Sequence, residues 1–368
     1  MTFEDVALSF VPNLGAKGCA HLVDLFGSAR EIYALSEQEL IDGAGLRADI
    51  ARAIARRAGF AEAEREMKYC DRNGLSIVAA TDEAYPNRLR FTPDRPHILY
   101  IKGELEPLCS DHVISIVGTR RMTPYGELMC TRIVESIAQH FPDAVIVSGL
   151  AYGIDAAAHR AALAYGLRTV GVLANSLPSV QPVAHRAMAE DMVSKGGALV
   201  SELSSQVRQN GAYFIPRNRI VAGLCDGLLV VESPLSGGSL HTAHAADGYS
   251  RVVMAVPGRA TDTMSQGTNA LIGSMMAHMV TNGKQLFDAL GWQHDVTDRT
   301  VRVEVRDMSA EELKILSCFE GCSDGIPLDK LIEQSGLSAG VVGATLLELE
   351  LSGVVRCLPG KIYEKLQC

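Results

Sequence analysis

Over its middle half the chain alternates short apolar runs with amphipathic stretches. Val113–Val117 is an unbroken run of apolar or small residues, as expected of a strand covered on both faces. Further runs at Ala144–Val147, Thr169–Leu173, Leu199–Ser201, Leu228–Val231 and Val252–Val256 predict five more strands. Helical patterns fall between them, near Gly126–His140, Asp155–Gly166, His185–Lys195, Asn218–Leu224 and Ser239–Tyr249. Strand and helix in alternation mean βαβ units and a parallel sheet. Right-handed crossovers then bring the carboxyl ends of the strands to one edge. Three of these ends carry glycine or serine with polar neighbours: Gly118-Thr119-Arg120, Ser148-Gly149 and Glu232-Ser233. The pattern sets them around one crevice.

The flanks read differently. Residues 1–70 are helical in pattern, with a weak duplication between Val11–Gly27 and Leu40–Arg57 that sets Gly15 and Gly45 thirty residues apart. This resembles tandem helix-hairpin-helix (SAM-like) units, but the second turn has no lysine just after it and is rich in acids, which favours a structural helical cap over a DNA contact. Residues 71–110 form a connector packing on the core, with two extended pieces at Ser76–Ala80 and His97–Lys102. Pro86, Pro93 and Pro96 interrupt any helix between them. After the core at 111–290 comes a charged tether, 291–308. Residues 309–368 then show a helix in Met308–Phe319 with acids in its first turn, helices Leu328–Ser335 and Ala339–Leu351, and a hairpin of Val354–Leu358 and Lys361–Tyr363 about Pro359-Gly360. Three helices and a hairpin describe a winged helix.

Composition narrows the classes. A chain of 368 residues has room for two or three domains, and 47% apolar with 21% charged residues is ordinary for a globular protein. The formal charge of −9 argues against a strongly basic nucleic-acid binder. Residues 111–290, however, carry 13 basic and 13 acidic residues, so this region must cluster its arginines to hold a polyanion. Nine cysteines without a C-x-x-C pair suit a reducing cytoplasm. No signal peptide and no apolar run of membrane-spanning length is visible.

The candidate chemistry is anion binding. Gly118 allows a sharp turn, Thr119 offers a hydroxyl and a helix cap, Arg120 and Arg121 supply fixed charge, and Pro124 suits a first helical turn. Free N–H groups and two guanidinium groups there predict a phosphate site. In the second stretch, Val147–Leu163, Ser148, Gly149 and Gly153 would let backbone approach a ligand. Asp155 and His159 share a helix face, either bracing the loop or acting as an acid–base pair. The third stretch, Ala212–Ala243, puts Tyr213 and Phe214 beside Arg217, Asn218 and Arg219. Cations with aromatics on a glycine-lined rim are what single-stranded nucleic acid needs; alone, the two arginines could equally be salt-bridged scaffold. No G-x-G-x-x-G or P-loop follows the first strand. His241 and His244 lack a third ligand, and Cys318 and Cys322 lack histidines, so neither a metal nor a cofactor is implied.

Taken with their order and spacing, SIVGTRRMTPYG, VSGLAYGIDAAAHRAAL, FIPRNRIVAGL, VVESPLSGGSLHTA, Val256–Gly258 and Gly267–Ile272 resemble the bacterial DNA-processing protein DprA (Smf) family over almost the whole chain. The resemblance implies an extended Rossmann-like, doubly wound α/β core between a helical amino-terminal domain and a winged-helix tail. It implies a non-enzymatic, homodimeric protein that binds and protects single-stranded DNA in natural transformation and recombination and helps load the RecA recombinase. The implied DNA pocket comprises Gly118, Thr119, Arg120, Arg121, Ser148, Gly149, Gly153, Phe214, Arg217, Asn218, Arg219, Gly238 and Ser239. Tyr152 stands where the family usually has arginine, which removes a charge and adds a stacking surface. A rival reading is a Rossmann-like nucleotide hydrolase of the lysine-decarboxylase-like class. Its P-G-G-x-G-T motif is absent, and it would need Glu232 as catalytic acid.

Overall fold

The computed structural model describes residues 1–292, 308–319, 325–351, 354–358 and 362–365. Within residues 1–292 the strands are β1 (Ser76–Ala79), β2 (Ile98–Gly103), β3 (Val113–Val117), β4 (Val145–Ser148), β5 (Arg168–Val172), β6 (Ala198–Ser201), β7 (Gly227–Val230), β8 (Val252–Ala255) and β9 (His278–Met279). They form one sheet in the order β1-β2-β6-β5-β4-β3-β7-β8-β9. Pairing is parallel from β6 to β9 and antiparallel where β1 and β2 extend the β6 edge.

The run at β3 explains its central place. Every residue of it is buried, and its alternate side chains serve two apolar layers. Val113 and Val117 pack with Ile220, Val221 and Ala243, which come from helices Phe214–Gly223 and Gly238–Gly248. Ile114 and Ile116 pack with Ile133, Val134 and Ala158, from helices Pro124–His140 and Ile154–Ala164 on the other face. The core is therefore doubly wound, as the alternation of patterns predicts.

Helix starts differ from the sequence reading, each for a local reason. The first core helix is capped by Thr123, whose hydroxyl accepts from the Gly126 N–H at 3.2 Å, and Thr119 is not its cap. The next begins at Ile154 with Gly153 as its cap, so Asp155 lies inside its first turn. The third stretch turns helical at Phe214, four residues before Asn218. Pro216 is tolerated there because a first-turn N–H has no helical acceptor. The two-residue β9 was not expected at all.

The two extended pieces of the connector are the strands β1 and β2. Between them Tyr85 is fully buried and donates to Pro96 O at 2.7 Å, while Arg88 bonds both carboxylate oxygens of Asp226. Ahead of them run helices from Phe3–Ser9 to Phe60–Asn73. Gly15 and Gly45 both take φ of +63°, but Gly15 opens the helix Gly15–Phe26 whereas Gly45 closes the helix Glu37–Ala44.

Asp295–Cys368 is a separate compact unit. Helices Ala310–Ser317, Leu328–Ser335 and Ala339–Leu351 accompany β10 (Ile326–Pro327), β11 (Val355–Leu358) and β12 (Ile362–Lys365), ordered β10-β12-β11. Ile315, Leu331, Val342, Leu346 and Leu349 fill its core. This is the winged-helix arrangement. Most of the tether, Cys322 and the Pro359-Gly360 turn lie outside the described residues.

Candidate nucleic-acid interface

A cleft of about 210 Å³ opens at the carboxyl ends of β3, β4 and β7. Strand order changes direction here, since β3 is followed by β4 on one side and β7 on the other, and open α/β sheets bind ligands at such a point. The volume lies below the roughly 300–1,000 Å³ of pockets for drug-sized ligands. A phosphate or a single base fits the space better than a dinucleotide.

Gly118, Thr119, Arg120, Gly149, Phe214, Arg217, Asn218, Gly238 and Ser239 all line this cleft. Three sources of positive potential converge on it. Helices Phe214–Gly223 and Gly238–Gly248 start at its wall, and neither start has a side-chain cap, so the positive ends of both helix dipoles lie there. Arg120 is exposed, and its guanidinium carbon lies 4.9 Å from the centre of the Phe214 ring, within cation–π range. Arg217 forms the floor. It is 5% exposed, donates through Nη1 to Gly149 O and Val172 O, and leaves its buried Nε without a partner. Burial pulls its pKa down to about 10, with Asp155 opposing and Arg120 adding, so it stays charged at neutral pH. Asp155 is the acid in the lining; burial pushes its carboxyl up while Arg217 opposes.

Glycine is required where these groups meet. A side chain at Gly149 would collide with the Arg217 guanidinium and with Asp155 Oδ2. Gly153, at φ +77°, packs against Thr119 O and the Arg120 backbone, which locks the second turn onto the first.

The other four expected residues stand outside the lining. Arg121 is exposed beside it, and its N–H donates to Thr119 Oγ1 at 3.1 Å. Ser148 is buried and donates to Ile116 O at 2.6 Å; with Gly153 it shapes the turn. Arg219 is turned toward acids of its own compact unit, Met1–His294. Its two terminal nitrogens bond both Glu202 oxygens at 2.7 Å and its Nε donates to Asp94 O at 2.9 Å, a bidentate pairing that engages the charge inside the fold. The Thr119 N–H is not free either, since it donates to Glu232 O at 2.7 Å.

His159 is fully buried, with Nδ1 2.7 Å from Thr169 Oγ1. Burial, helped by His185 and Arg217, drops its pKa to about 3, so it is neutral and does not reach the cleft. Glu232 is also fully buried. Its carboxylate accepts from the Thr123 N–H at 2.9 Å and the Thr123 hydroxyl at 2.5 Å, so it braces the first core helix. Sequence reasoning passed over Ala151, Ile215, Pro234, Gly237 and Thr242, which also line the cleft. All five lie within the quoted motifs, but none has the charge or aromatic ring by which site residues were picked out. Among the described residues no three His, Cys, Asp or Glu gather as a metal site would need, and no helix is long and apolar enough to cross a membrane.

Comparison with known proteins bears on this geometry. The family model for DNA recombination-mediator protein A matches residues 76–291, and that for the DprA winged helix domain matches 305–361. Protein Smf of Escherichia coli (strain K12) is 34% identical over 302 residues, covering 81% of this chain and 79% of that protein. DNA processing protein DprA of Bacillus subtilis (strain 168) is 34% identical over 217 residues, covering 59% and 72%. The crystal structure of DNA processing protein A from Streptococcus pneumoniae superposes with a TM-score of 0.68 at 27% identity, over 78% of this chain and 98% of that one. A structure of the Helicobacter pylori protein, solved for its single-stranded DNA binding mode, gives 0.51 at 27% identity, over 59% and 95%. With a matching core, a matching tail and the glycine–arginine cleft between three strand ends, this chain belongs to the DNA recombination-mediator protein A (DprA/Smf) family.

Proposed function

We propose that the chain binds single-stranded DNA in the switch-point cleft, protects it, and passes it to a RecA-type recombinase in natural transformation or a related recombination process. The observation that carries this reading is the pairing of Arg120 with Phe214 above the buried Arg217. A phosphate can sit between the two guanidinium groups and the uncapped helix starts, while a base stacks on the ring. The Helicobacter pylori relative, named for its single-stranded DNA binding mode, supports the ligand. The mediator description of the family supports the recombinase as partner. A homodimer in the cytoplasm completes the reading, resting on the family likeness.

Catalysis is not part of it. A nucleotide hydrolase would need Glu232 to reach substrate, yet both its carboxylate oxygens are held by Thr123 and it is absent from the cleft wall. The test is a gel shift with an oligothymidylate, with and without duplex competitor, beside product analysis after incubation with AMP. Binding that survives duplex competition, with AMP unchanged, is the expected result. Hydrolysis of AMP, or loss of the complex to duplex, would refute it.

A further inference from the structure

The loop from Leu150 to Gly153 carries an aromatic side chain that the cleft does not use. Tyr152 sits between Ala151, which lines the cleft, and Gly153, which is pressed onto the Arg120 backbone. Its surface is 52% exposed, in a chain with only 5% aromatic residues. The loop is held from its other side as well. Leu150 takes φ of +57° although it is not glycine, and the buried His185 donates its Nδ1–H to Leu150 O at 2.9 Å. The same imidazole meets the Tyr152 ring in a T-shaped contact, with centroids 4.9 Å apart and planes at 67°. Such contacts fix ring orientation. Tyr152 is therefore an open aromatic surface held in place, because its loop is locked to the arginine turn on one side and to His185 on the other.

The helix that Phe214 opens and the helix that follows Tyr152 pack on opposite faces of the sheet. The Phe214–Gly223 helix contributes Ile220 and Val221 to one apolar layer, and the helix that follows Tyr152 contributes Ile154 and Ala157 to the other. We propose that Tyr152 is a second stacking platform, taking a base that neighbours the one on Phe214, so that consecutive bases of one strand are held across the cleft. This rests on the single-strand reading above. It adds that the β4 side of the site grips the strand through bases, without a cation at position 152.

The test compares an oligothymidylate with an abasic sugar–phosphate oligomer of equal length, by anisotropy, for the wild-type chain and for Tyr152→Ala, Tyr152→Leu, Tyr152→Phe and Arg120→Ala. Tyr152→Leu keeps bulk without a π face, so it serves even where alanine disturbs the loop. Expected are a loss of about tenfold on oligothymidylate for the alanine and leucine variants, retention within about twofold for phenylalanine, and no change on the abasic oligomer. Leucine binding oligothymidylate like wild type, or losing equally on both oligomers, would overturn the platform. If Arg120→Ala weakens binding while Tyr152→Ala and Tyr152→Leu do not, Tyr152 alone is refuted. A wild-type chain that binds neither oligomer brings down the single-strand reading and the platform with it.

Discussion

The switch-point cleft and the Ala339–Leu351 helix of the winged-helix unit are both places where such folds meet nucleic acid, but their chemistry is opposed. The cleft joins two uncapped helix starts, the exposed Arg120 and the buried Arg217 around a phosphate-sized space. The helix contains no lysine or arginine and exposes Glu348 and Glu350, which would repel phosphates. It also exposes Val341 and Leu347, apolar surface suited to protein contact. The difference teaches that fold type alone does not locate the DNA contact. On the proposed reading the contact follows exposed charge, as at Arg120, rather than charge paired inside the fold, as at Arg219.

The variant with the largest expected effect breaks that distinction directly. Arg219→Ala would leave Glu202 largely buried without its partner, costing about 3 kcal/mol of stability, while single-strand affinity stays within about twofold. A urea titration beside an anisotropy titration checks this, and an affinity loss without a stability loss would move Arg219 into the site. Phe214→Ala has the reverse signature. It should weaken single-strand binding by about 1–3 kcal/mol with an unchanged salt dependence, and its melting temperature should hold because the ring is only half-buried.

His159 sharpens the comparison through pH. Its folded pKa, about 3, lies below the usual 6.5 chiefly because of burial, so the fold favours the neutral ring. The stability this represents is complete above pH 6.5 and falls as pH drops toward 3, since the unfolded chain then binds a proton that the folded chain refuses. From pH 7 to pH 5 the loss is about 2 kcal/mol. His159→Gln should remove most of that slope in urea midpoints at the two pH values. A slope unchanged in the variant would mean that another group titrates. The smallest effect belongs to the tail: deleting residues 309–368 should leave single-strand affinity within about threefold, below roughly 0.7 kcal/mol. A loss of tenfold or more by the folded truncation would make the tail a DNA reader.

Much of the fold was legible in the sequence because burial on two faces leaves a plain signal. Val113–Val117 coincides with β3, and Leu328–Ser335 and Ala339–Leu351 coincide with their helices. Two-residue β9, exposed at the sheet edge, is too short to show a strand period of its own. In the cleft, the glycine turns and Arg120 could be read from strand ends. Arg219 could not, because its acids, Asp94 and Glu202, come from distant segments. A clue was nonetheless present: residues two apart on a helix do not share a face, so Arg217 and Arg219 could not both enter the cleft once helix begins at Phe214. The Thr119 N–H was lost to Glu232 O in the same way, through a partner over a hundred positions away.

The central claim is that the positive charge gathered in the cleft holds a single strand, and the salt dependence of oligothymidylate binding by the wild-type chain and Arg120→Ala tests it most directly. With Arg120 and Arg217 each neutralising a phosphate, the log–log slope of the wild type should be about −1.4, and the variant should be shallower by about 0.7 as well as weaker. Identical slopes and affinities for the two proteins would contradict the account.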